Sequence, residues 1–281
     1  MGAAHRPAAR AASLISLVLM LSSLIGVSHA APALASVGTI DTLNRDSVGA
    51  AYRDILAPAT EVPSGWTGST QTCTPGAVSS EAQQATYDAI NFFRALGGLD
   101  PVVLDPALSS KAQEAALVMA ANHSLSHSIP TDWLCRTEAA AQAAGSSNLA
   151  LGSYGASAIG LYMDDPGASN TAVGHRRWVM LPSTRAMGSG STSRSNALWV
   201  TGNGAADGDF QNPEWVSWPT RGYFPSQLEP SGRWSLTANT RNVNFAGASV
   251  TVIGPDGASL PLTKQAEVDG YGNDTLVWEF T

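Results

Sequence analysis

His123 and His127 stand four residues apart, and His175 follows in the run Gly174-His175-Arg176-Arg177. Imidazoles at i and i+4 share a helix face if the helix persists through Leu125. A third histidine from a distant segment would then complete a site for a divalent metal such as zinc. Asp164 and Asp165 could add a ligand or a general base, although their place before Pro166-Gly167 also suits a turn. Arg176 and Arg177 can either bind an anionic group or make structural ion pairs, and the residues leave both open. Asp207-Gly208-Asp209 with Asn212 and Glu214 is rich in oxygen donors but lacks the EF-hand spacing for calcium. No GxSxG elbow, HExxH helix, phosphate loop or complete GxGxxG occurs, which lowers the expectation of catalysis.

The elements that must position these residues are legible from caps and periodicity. A short helix is expected at Asp46 to Ile55. Ser79 or Ser80 caps a helix in which Ala85, Ala89, Phe92, Phe93 and Leu96 recur at three- and four-residue steps until Gly97-Gly98. Asp105 caps the next, with Pro106 in its first turn and Leu108, Ala112, Ala115, Ala116 and Met119 as its apolar face, as far as His123. Thr137 to Ala144, Gly155 to Met163 and Gly174 to Met180 read as shorter helices. Beyond Pro182 the pattern turns to strands: Ala197 to Thr201, Arg233 to Ala238, Ala248 to Ile253 and Thr275 to Phe280. Pro255-Asp256-Gly257 is a turn between two antiparallel strands. Trp199, Trp215, Trp218, Trp234 and Trp278 in such segments suit a core better than a sugar-stacking platform.

Arg6 and Arg10, the apolar run Leu14 to Val27 and a small-residue end match a secretory signal peptide, cleaved after Ala30 or Ala35. The alternative is an uncleaved membrane anchor, since no charged residue occurs from Ala11 to Ile40. In an exported chain the only two cysteines, Cys73 and Cys135, are expected to pair. The chain has 281 residues, 44% of them hydrophobic and 13% charged, which excludes wholesale disorder. A formal charge of -7 with no basic run excludes a groove built for nucleic acid.

Several of these pieces resemble the CAP superfamily, the domain of cysteine-rich secretory proteins, antigen 5 and plant pathogenesis-related proteins of class 1, in its bacterial SCP-type form. They are Asn91-Phe92-Phe93-Arg94, Leu125-Ser126-His127, Asn148-Leu149-Ala150, Asp165-Pro166-Gly167, Gly174-His175-Arg176-Arg177 and Met187-Gly188-Ser189-Gly190. The resemblance implies an α+β fold, an α-β-α sandwich followed here by a β-rich C-terminal region. It divides the chain into a signal peptide (1–30), a linker with a short helix (31–78), a CAP-like domain (79–205) and the β-rich region (206–281). It also implies a cleft lined by two histidines and two acidic residues, able in some relatives to hold zinc. His127 and His175 fall on the histidine positions, Asn148 lies beside them, and Asp164 or Asp165 takes one acidic position. Ser147 stands where the family has Glu, which removes a charged ligand.

The expected function is that of a secreted, non-enzymatic binding protein whose His-lined cleft takes a small or lipid-like ligand, with no certain cofactor. One alternative is a metal-dependent hydrolase with His127 and His175 as ligands and a third from Asp164, Asp165 or His123. The other is a cell-envelope or adhesion protein acting through its β-rich tail.

Overall fold

Helix boundaries fall where side chains satisfy the free amides of a first turn. The computed structural model describes residues 1–2, 37–202 and 212–281; the expected signal peptide from residue 3 on, and Asp207-Gly208-Asp209, lie outside the described residues. Asn44 caps α1 (Arg45–Ala51), which passes through one π-helical turn, Tyr52–Leu56, into α2 (Ala57–Glu61). The Ser79 hydroxyl accepts from the Ala82 amide to start α3 (Ser80–Leu96), and Gly97 ends it. After β1 (Val103–Leu104), Asp105 accepts from the amides of Ala107 and Leu108 to start α4 (Pro106–Asn122). Thr137 caps α5 (Glu138–Gly145), and β2 (Ser147–Leu151), α6 (Gly155–Asp164) and α7 (Gly174–Val179) follow. The remaining elements are β3 (Ala186–Ser191), β4 (Ser195–Trp199), β5 (Trp215–Trp218), β6 (Arg233–Ala238), β7 (Leu262–Lys264) and β8 (Thr275–Phe280).

The first sheet has the order β1-β3-β4-β2, parallel between β1 and β3 and antiparallel elsewhere. Alternation along its strands feeds two cores. Ala150, Met187 and Leu198 pack with Ile90, Phe92 and Phe93 of α3 and Ile159 and Tyr162 of α6. Leu149, Ala197 and Trp199, on the opposite face, pack with Ala112, Ala116 and Met119 of α4 and Ala140 and Ala144 of α5. This is the expected α-β-α sandwich. Against β3 the α4 backbone lies almost bare, because a Cβ on Gly190 would come within 2.1 Å of the Gln113 amide nitrogen. The Gln113 side chain bonds both the amide and the carbonyl of Ser191, at 3.0 and 2.8 Å, and fixes the register of helix on strand.

The second sheet is antiparallel, in the order β5-β6-β8-β7. Val216 and Trp218 join the core built on α3, with the Trp218 ring edge-on to Phe93 and Phe224. On its other face Leu236 and Leu276 lie under Phe245, Ala248 and Val250. The strand expected at Ala248 to Ile253 does not form. Its apolar side chains pack onto this sheet while its backbone makes a single bridge, Ile253 to Ser259, around the Pro255-Asp256-Gly257 turn. The tryptophans divide accordingly: Trp199 and Trp218 are buried, Trp234 and Trp278 face each other half-buried across β6 and β8, and Trp215 is exposed.

Four arginines, Arg94, Arg176, Arg177 and Arg233, are buried at the joints where apolar filling would be expected. Arg94 donates to the carbonyls of Asp100, Val179, Leu181 and Thr184. Burial pushes its guanidinium down to about 9, which still leaves it charged at neutral pH. Arg176 is described with the site below. Cys73 and Cys135 form a disulfide, as expected, tying the segment before α3 to the loop after α4.

Candidate functional site

The loop that carries His127 begins where α4 stops. His123 adopts a left-handed conformation, φ 49°, at the end of that helix. The helix therefore does not reach Leu125, and the expected shared face of His123 and His127 does not exist. The loop is held instead by paired bonds between the Asn122 side chain and the backbone of Leu134, by buried Ile129, and by the disulfide at Cys135. His127 Nδ1 lies 2.9 Å from the Ala144 carbonyl at the end of α5. A carbonyl only accepts, so Nδ1 carries the proton and Nε2 is left for the cleft.

His175 is presented by α7. The side chain of Asp165, at the end of α6, is fully buried and accepts from the His175 amide at 2.9 Å and from its Nδ1 at 2.8 Å. The same tautomer follows, with Nε2 free. Tyr162 stacks on the imidazole, ring centres 5.7 Å apart. Burial drives the Tyr162 phenol well above its ordinary value, so it stays a neutral donor to Asn196 Oδ1. The Asn148 side chain donates to the His175 carbonyl, linking β2 to α7. Val173, before α7, has φ 44°, a costly backbone for a β-branched residue, and so the turn presenting His175 is held against strain.

Two adjoining hollows share His127, Asn170 and His175. One, about 450 Å³, is polar, with Ser146, Ser147, Asn148 and Thr201 alongside the rings of Trp178 and Tyr271. The other, about 360 Å³, is walled by Leu125, Leu149, Leu151, Leu161 and Pro166. Asp164 lines neither. Its carboxylate accepts from the amide and hydroxyl of Ser231, at 2.7 and 3.1 Å, and ties α6 to the approach to β6. His123 is exposed and lines neither hollow.

Residues 87–203 match the family model for CAP, the cysteine-rich secretory protein family. The chain carries a CAP domain. No curated protein and no solved structure matched it. Within that domain, the donors do not make a three-ligand zinc centre. The two Nε2 atoms are available, but Asp165 is spent on His175, Asp164 on Ser231, and Ser147 is no charged ligand. Among the described residues no group of three His, Cys, Asp or Glu side chains is placed to hold a metal ion.

Arg176 and Arg177 of the CAP domain resolve to structure, not anion binding. Arg176 donates to the carbonyls of Met163, Asp164 and Arg233 and to the Ser235 hydroxyl; burial pushes it down to about 10. Arg177 donates to the carbonyls of Val268 and Asn273, with Tyr271 against its guanidinium, and burial lowers it too. The sequence reading missed Asn170, Trp178 and Tyr271. Only the aromatic character of the last two hinted at them, and nothing in spacing brings Tyr271 to His175.

Proposed function

We propose that this is an exported protein whose CAP domain binds a small amphiphilic ligand across the two hollows, without transforming it. The observation that carries this reading is the pair of imidazoles shared by a polar and an apolar hollow. A ligand head can bond to either Nε2 while a hydrocarbon tail lies along Leu149, Leu151 and Leu161. The volumes fall within the range of roughly 300–1,000 Å³ usual for small-molecule sites. Catalysis by a serine would need a hydroxyl hydrogen-bonded to an imidazole, and among the described residues none is. The tail-only reading also loses support, because the second sheet supplies part of the cleft and shares the CAP domain's core.

The test is titration of the purified protein with octanol, followed by calorimetry and by intrinsic tryptophan fluorescence. Saturable binding is expected. Leu161→Glu, at an exposed position of α6 on the apolar hollow, should weaken it about tenfold, the cost of a charge facing hydrocarbon, without shifting the melting temperature. Octanol binding that is absent, or indifferent to Leu161→Glu, would overturn the proposal.

A further inference from the structure

The wall of the polar hollow that belongs to no CAP element is built by the loop 268–273, between β7 and β8. Arg177 brackets this loop, its two terminal nitrogens donating at 2.7 and 2.8 Å to the Val268 and Asn273 carbonyls. Tyr271, between those anchors, has its ring 5.6 Å from the same guanidinium. Its edge fits where Gly174 has no side chain; a Cβ there would lie 2.5 Å from the ring. Thus the residues flanking His175 hold a tyrosine from the far end of the chain against the hollow that His175 lines.

The chemistry of this hollow is distinctive in what it presents. Its polar side chains are hydroxyls, amides and two imidazoles, and among the described residues no Asp, Glu, Lys or Arg lines it. Ser147, only 4% exposed, stands at this wall with a buried hydroxyl oxygen that has no partner among the described residues. Trp178 and Tyr271 supply aromatic faces beside these groups. Neutral donors and acceptors next to aromatic rings suit a ring with many hydroxyls on its edge and C–H groups on its face. A carboxylate or phosphate head would find no Lys or Arg there among the described residues.

We infer that the polar hollow recognises an uncharged sugar ring, and that Tyr271, positioned by Arg177, is the residue that selects it. The inference rests on the cleft reading above and specifies the head group of its ligand.

Three probes built on an eight-carbon chain separate the two ideas: octyl β-glucoside below its micellar concentration, octanol and octanoate. The glucoside should bind about tenfold more tightly than either of the others, the scale of one good ring contact with its hydrogen bonds. Tyr271→Ala should abolish that advantage and leave octanol affinity within about twofold, while Tyr271→Phe should keep it. Equal affinity for glucoside and octanol in the wild-type protein, or an advantage for octanoate, overturns the sugar inference. Such a result leaves the cleft reading standing as long as octanol binding responds to Leu161→Glu. Should none of the probes bind saturably, both fall. The wild-type comparison decides even if Tyr271→Ala proves unstable.

Discussion

Replacing Arg176 with methionine removes a charged donor from a site closed off from bulk solvent. The guanidinium is 1% exposed and makes four hydrogen bonds between 2.7 and 3.2 Å, two within the α6 segment and two to β6. Bonds from a charged donor contribute about 1.5–3 kcal/mol each. Desolvation of the guanidinium opposes them, as its fall to about 10 indicates. Methionine fills the space but leaves three carbonyls and a hydroxyl unpaired, so a net loss of about 3–5 kcal/mol is expected, the range for stripping one partner from a buried charged set. Urea unfolding followed in parallel by tryptophan fluorescence and circular dichroism measures it. If the second sheet is integral to the fold, both probes should report one transition, at a lower midpoint and with unchanged slope. A loss below about 1 kcal/mol, or a split into two transitions with the first sheet unaffected, would refute the reasoning.

The bridge between Cys73 and Cys135 spans 62 residues, so the double variant Cys73→Ala, Cys135→Ala should lose about 4 kcal/mol through the freer unfolded chain. Calorimetric melting of the variant against the oxidised protein checks this; a loss below about 1 kcal/mol would contradict it. Gly190→Ala drives a methyl into the α4 backbone, and should cost about 3 kcal/mol or more, read as a drop in melting temperature. Gly160→Ala, with open space around its Cβ position in α6, is the matched control and should be neutral or slightly stabilising.

The helices were readable because they announce themselves locally, while the sandwich they build was implied only by the family resemblance. Ser79, Asp105 and Thr137 cap where their side-chain chemistry says they should, and the apolar periodicity of α3 and α4 names the faces that meet the sheet. His123 misled because a left-handed stop usually calls for glycine, and the spacing of His123 and His127 looked helical without one. Ala248 to Ile253 misled because an apolar run reports burial of side chains, not pairing of backbones. At the site, the two histidines were visible as residues. Asp164 and Asp165 were indistinguishable by type, and only the chain geometry at the end of α6 turns one to His175 and the other to Ser231. The destinations of Arg176 and Arg177 are backbone carbonyls far along the chain, which no residue pattern records.

Three consecutive residues of one short helix each serve a different neighbour: His175 the cleft, Arg176 the strand at Arg233, Arg177 the loop around Tyr271. The segment recognisable by kinship closes at residue 203, yet Arg177 finds its hydrogen-bond acceptors only after it, and Arg176 finds two of its four there. A protein truncated at that border would leave Arg177 without its acceptors, Arg176 with two of its four, and the polar hollow without the side that Gly270 and Tyr271 supply. What matches the family model and what packs as one body have different edges here, because Val216 and Trp218 of the second sheet lie beyond the first edge and inside the core of the second.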